Sequence, residues 1–247
     1  RSTLFPYTTL FRSRTGVMAG PVAHIFCALA ILHSGALKVA NEKAFIMGSC
    51  YPDIQYLGVI DRATTHYNNI RWEDIVAASS DFQKGVLLHN LVDEVRIAQL
   101  EKSLTTRLPS LPIMRSQIMK FFEDSLLYSQ VTDWKKILHC FDDIHPEERF
   151  QGIPDNALTT WHQFIKAYCM QQPSVLSTHA IINQFPQMRS RIPFGIPSLA
   201  TKVYIGIAFK AFNKPHLVDA MNQFYSNCVS LITSNAHLRH HAVGAIV

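Results

Sequence analysis

A histidine and an aspartate one helical turn apart, set in an apolar run, constrain this chain more than any other feature. In GVLLHNLVDE, His89 and Asp93 stand at i and i+4, and Leu87, Leu88 and Leu91 surround the histidine. On a helix both side chains lie on one face. The leucines place that face on or beside a core, where a charge is costly unless it is paired or bound to metal. The apolar spacing from Asp81 through Phe82, Val86, Leu91 and Val95 predicts one long helix that carries both residues.

Three more residues of the same chemical type precede this pair within about seventy positions: His24 in GPVAHIF, Asp53 in GSCYPDI and His66 in RATTHYN. Imidazole and carboxylate are donors for zinc, and they also suit iron and manganese. The i, i+4 pair can hold an ion from one rigid element, and Asp53 and His66 would complete a four-donor set from other segments. Each residue also has an ordinary reading. His24 and His89 suit a satisfied core, Asp53 suits a helix cap, and His66 suits a polar turn. Glu94 points about 100° away from Asp93 around the helix and is not expected in the set. His33, His162, His179 and His216 read as structural or solvent-facing. Tyr51, Tyr56, Arg62, Tyr67 and Asn90 lie close in sequence to the donors and are candidates for orienting them or touching substrate.

At GPVAHIF, MGSCYPDI, ATTH and FQKGVLLHNLVD the chain resembles the bacterial zinc-dependent phospholipase C family, over roughly residues 20–98. The resemblance implies an all-α, single-domain helical bundle of that type. It implies that Asp53, His66, His89 and Asp93 hold one zinc ion. It implies that His24 binds a neighbouring zinc, with Asp93 bridging the two, and gives Asp53 a general-base role. In secreted members the second zinc also takes the amine and carbonyl of a processed N-terminal tryptophan, whereas this chain has Met18-Ala19-Gly20 before His24. Those members bind a third zinc through further histidines and an H-x-x-x-E pair. Here no histidine follows Asp93 until His139, and His139-x-x-x-Asp143 with His145 reads as an exposed helix end. Two ions are therefore expected. The C-terminal half matches no motif.

The segment RSTLFPYTTLFRS at 1–13 resembles translated sequencing-adapter text, so residues 1–17 are expected to be an artefactual leader before a start at Met18. Setting them aside removes three arginines and leaves 20 basic against 18 acidic residues, so the formal net charge falls from +5 to +2. That balance gives no support for a nucleic-acid partner. Residues 18–247 suit one domain. Five widely spaced cysteines, with no C-x-x-C, do not read as a thiolate zinc site or a disulfide framework. No apolar run is long enough to span a bilayer, and a cytoplasmic protein is expected. Helices are expected from Val22 to Lys38, at Trp72–Ala78, and at 113–130, 132–142, 155–171, 174–184, 199–212 and 215–235. Gly48, Tyr51-Pro52 and Gly58 read as breaks, which puts Asp53 in a loop or short turn.

The function expected is hydrolysis of a phospholipid head-group phosphodiester, or of another small phosphodiester, by metal-activated water. Peripheral contact with a membrane is compatible with such a substrate. Two alternatives stand beside it. One is a nuclease or nucleotide phosphohydrolase on the same all-α architecture, which needs aromatic platforms and a basic groove. The other is a non-catalytic helical protein with a structural metal, since four protein donors make a closed site.

Overall fold

Asp93, at the C-terminal end of the H-x-x-x-D pair, sits in a largely buried helix, Asp81–Arg96. The structure is a computed structural model that describes residues 19–101, 112–189, 206, 210 and 213–235. Helix α1 (Pro21–Ser34) starts on a proline suited to a first turn and ends where Gly35 takes φ 68°. It therefore stops short of the expected Lys38, because the left-handed glycine cannot continue the helix.

Helix α2 (Glu42–Cys50) is capped by Asn41, whose side chain accepts from the Ala44 N–H at 3.1 Å. Gly48 does not break the chain as the sequence suggested; it lies inside α2. A Cβ on Gly48 would strike the Phe82 carbonyl, and one on Gly85 would strike the Phe45 carbonyl oxygen. These two glycines let α2 lie backbone against backbone on α4 (Asp81–Arg96). The Tyr51–Leu57 segment follows α2 directly as a 3-10 turn and ends at Gly58, φ 76°. Asp53 thus sits in a short turn that continues α2, as the sequence allowed.

A second short 3-10 turn, Arg62–Thr64, precedes His66. The Asn90 side chain pins this segment to α4. Its oxygen accepts from the Tyr67 N–H at 2.8 Å, and its amide donates to the Thr65 carbonyl at 3.1 Å. Helix α3 (Trp72–Val76) leads to α4, which Ser80 caps through the Gln83 N–H. A π turn, Ile97–Glu101, continues α4.

Beyond it come α5 (Pro112–Leu127), α6 (Trp134–His139), α7 (Asp155–Cys169), α8 (Val175–Gln184), α9 (Pro186–Arg189), α10 (Pro215–Ser226) and α11 (Cys228–Thr233). The single helix expected at 215–235 is divided at Asn227. The expectations for residues 1–17 and for most of 199–212 lie outside the described residues. Among the described residues there is no strand, and the fold is all-α. One apolar core joins α1, α2 and α4 to residues of α5, α7, α10 and α11. All five cysteines are free and buried. No described helix is long and apolar enough to cross a membrane.

Candidate metal centre

The close approach of α2 and α4 sets the first donor. His89 Nδ1 lies 2.9 Å from the Ser49 carbonyl oxygen, which can only accept. Nδ1 therefore carries the proton, and Nε2 presents its lone pair. A similar chain fixes His66. The Thr65 hydroxyl donates to the Pro52 carbonyl at 3.1 Å, so its oxygen accepts from His66 Nδ1 at 3.1 Å. His66 Nε2 then also presents a lone pair. The two Nε2 atoms face each other at 3.3 Å. Two lone pairs at that distance repel unless a cation lies between them.

Two carboxylates complete the cluster. Asp53 Oδ1 lies 3.8 Å from His66 Nε2, and Asp93 Oδ2 lies 3.8 Å from His89 Nε2. Asp93 Oδ1 lies 3.6 Å from His24 Nε2 and accepts from the Ala19 N–H at 2.7 Å. The His24 and His89 rings stack with centroids 3.7 Å apart. All five residues predicted from the sequence thus converge. Their donor atoms form two overlapping sets, His24–Asp53–His89 and His66–His89–Asp93, each within 4.8 Å.

The donors fit a divalent ion in two respects. Tetrahedral coordination at about 2.1 Å places neighbouring donor atoms about 3.4 Å apart, close to the separations here. Also, both nitrogens of His24, Asp53 Oδ1 and Asp93 Oδ2 are buried without a hydrogen-bond partner. Orphaned buried polar atoms are rare, and each calls for an explanation. Burial, with the neighbouring His89 and Lys120 adding to it, holds His24 well below the usual imidazole range. Burial likewise lowers His66. Both imidazoles are therefore neutral, which is the form that binds metal. Burial raises the Asp93 carboxyl, with Asp53 adding to the effect and His89 opposing it.

Several buried charges around the cluster were not singled out in the sequence. On α5, Lys120 Nζ donates to the Tyr56 hydroxyl at 3.0 Å. Burial works against its charge, but Tyr56, Asp53 and Asp93 outweigh that and raise its pKa. Glu123 pairs with Arg96 of α4 at 2.7 Å, both wholly buried. Asp124 accepts from the Ala23 N–H at 2.9 Å and the Tyr168 hydroxyl at 2.8 Å. The available signal was the K-x-x-E-D spacing in IMKFFEDSLL, where Lys120, Glu123 and Asp124 share a face among apolar residues.

Other residues fall as expected. His139 is exposed and bonded to Asp142, and Asp143 pairs with Lys43 at 3.3 Å. His162 pairs with Glu148 at 2.7 Å. Glu94 accepts from the Asn69 N–H at 2.5 Å. Asn90 orients the His66 segment, as described above. Compared with models of protein families, with curated proteins and with solved structures, the chain matches none.

Proposed function

We propose that the protein is a metal-dependent phosphodiester hydrolase of the zinc-dependent phospholipase C type. The observation that carries this reading is the pair of imidazole Nε2 atoms facing each other at 3.3 Å, flanked by unpartnered carboxylate oxygens of Asp53 and Asp93. Asp53, His66, His89 and Asp93 would hold one zinc ion. His24 and the second oxygen of Asp93 would hold another. When bound, zinc lowers the pKa of a coordinated water toward neutrality and offsets negative charge on a phosphoryl group.

The chain's own residues have defined parts in this reading. Ser49 and Thr65 fix the tautomers of His89 and His66 through their Nδ1 atoms, the arrangement that orients metal-binding imidazoles. Asp53 would also take the proton of the attacking water. The Ala19 backbone nitrogen lies beside Asp93, at the position where a further nitrogen donor would approach. The substrate would be a phospholipid or another small phosphodiester, and cleavage yields an alcohol and a phosphorylated head group.

A second reading is a structural ion in a non-catalytic protein. The burial of the donors favours it, because the side chains of Asp53, His66 and Asp93 are each only 6% exposed. One experiment separates the two. Purified protein is assayed for bound metal alongside hydrolysis of bis(4-nitrophenyl) phosphate. Bound zinc with hydrolysis that chelation abolishes supports the enzyme. Bound zinc without hydrolysis leaves the structural ion.

A further inference from the structure

A small cavity of about 40 Å³ opens between the N-terminal end of α1, the Asp53 turn, α5 and α7. Asp53, Tyr56, Lys120, Trp161 and Tyr168 line it, together with Gly20. It is large enough for a water molecule or a few atoms of that size and too small for a lipid. Its accessible surface is mainly apolar, but two donors among the residues around it are underused. Trp161 is 1% exposed, and its indole Nε1–H is buried without an acceptor. Lys120 is 4% exposed, and its ammonium group makes one hydrogen bond, to the Tyr56 hydroxyl. An ammonium has three protons to donate. The Tyr168 hydroxyl is already committed to Asp124 at 2.8 Å.

Two buried, incompletely used donors, one of them cationic, favour an acceptor that carries negative charge. Asp53 lines the same cavity and would repel such a group while its own charge was unmet. An ion held by Asp53 removes that repulsion, so the cavity would accept an anion only in the metal-loaded protein.

We propose that this cavity is an oxyanion pocket in which Lys120 and the Trp161 indole N–H bind a non-bridging oxygen of a phosphoryl group held at the neighbouring metal centre. The proposal rests on the metal reading above and adds two substrate-contacting residues from beyond the stretch that carries the motifs. Free phosphate and a phosphodiester offer the same oxygen chemistry, and the two are separable by experiment.

The test uses zinc-loaded protein labelled with ¹⁵N at its tryptophan indoles. Inorganic phosphate and dimethyl phosphate are titrated separately, and the three indole N–H resonances are followed. Trp134 serves as an internal control, because its Nε1–H donates to the Tyr128 carbonyl at 3.0 Å. The expected result is a shift of the Trp161 resonance while Trp134 stays fixed. A response to dimethyl phosphate assigns the pocket to the diester, and a response to phosphate alone assigns it to a free phosphate. Trp161→Phe, which keeps a ring stacked on Phe164, should weaken the phosphate that binds, measured by calorimetry, about tenfold. Lys120→Met should weaken it further at unchanged zinc content. Should Lys120→Met fail to fold, Trp161→Phe and the indole shift decide alone. Phosphate binding that leaves the Trp161 resonance unmoved overturns the proposal, as does a Trp161→Phe variant with undiminished affinity. A protein that holds zinc and shifts Trp161 but hydrolyses no diester loses the enzymatic reading and keeps the pocket.

Discussion

Two groups of buried charged and polar side chains lie side by side in this protein and are satisfied in opposite ways. In the first, Arg96 and Glu123 pair at 2.7 Å with the Tyr225 hydroxyl at 3.4 Å, while Asp124 takes hydrogen bonds from Ala23 and Tyr168. Most donors meet acceptors, although Glu123 Oε1 is buried without a hydrogen-bond partner, and the group ties α4, α5, α7 and α10 together. In the second, His24, Asp53, His66, His89 and Asp93 set lone pair against lone pair. Several of their atoms are orphaned although they are as deeply buried as the first group. Burial alone therefore does not mark a functional site. In the proposed reading the mark is a convergence of facing acceptor atoms, which a bound cation would resolve.

The largest effects should come from disturbing the second group. Asp93→Ala removes the carboxylate that faces both His24 and His89. It should abolish zinc binding and lower phosphodiester hydrolysis by at least about a thousandfold, the scale of a lost metal-activated water. His24→Ala should lower occupancy toward one ion and also remove most hydrolysis. Elemental analysis with activity on bis(4-nitrophenyl) phosphate reads both. Full activity of His24→Ala with one ion would rule out a two-ion mechanism.

Disturbing the first group should cost stability instead. Arg96→Met leaves Glu123 buried and unpaired, with an expected loss of about 3–5 kcal/mol in denaturant unfolding. Replacing both partners, as Arg96→Met with Glu123→Leu, should recover most of that loss. A pair of replacements at His89 and Asp93 should not restore zinc binding. If the Arg96–Glu123 double variant also loses zinc while still folded, the two groups are one system.

The first group should also show in the pH dependence of stability. Burial, with Glu123 adding to it, pushes the Asp124 carboxyl up to about 7. A carboxyl raised above its unfolded value favours the protonated form in the folded state. Its cost is absent below about pH 4, grows as pH rises and levels off above about pH 7, amounting to a few kcal/mol. Thermal melts of metal-free Asp124→Asn should lack this slope. A wild-type slope that persists in the variant would assign it elsewhere.

A smaller effect concerns the edge of the second group. The Ala19 nitrogen donates to Asp93 Oδ1 at 2.7 Å. A variant that begins at Ala19 places a primary amine there, and its zinc affinity should rise above that of the 247-residue chain. Equal affinity would show that this nitrogen remains a hydrogen-bond donor.

How much of this was legible in the sequence differs between the two groups. The i, i+4 spacing of His89 and Asp93 in an apolar run exposed α4 directly, because helical periodicity is local. His24, Asp53 and His66 were legible through their motif contexts, and all three arrive at the cluster. Their supports were hidden. The Ser49 carbonyl reaches His89 only because Gly48 and Gly85 let two backbones touch, and Gly48 read as a break. Such an approach is a tertiary fact that overrides local propensity. The Arg96–Glu123 pair joins residues 27 positions apart, and Trp161 comes from yet another helix. Pairings across that distance leave no periodic trace, although three charged residues on one face of an apolar α5 signalled that something buried would meet them.

The most direct measurement of the central claim is X-ray absorption at the zinc edge, taken on purified protein whose metal content has been quantified. The expected result is at least one zinc per chain in a shell of nitrogen and oxygen donors at about 2.0–2.2 Å, with no sulfur. That shell should be lost in His89→Ala. A folded protein that takes up no divalent ion, or one whose zinc shell is unchanged in His89→Ala, would contradict it.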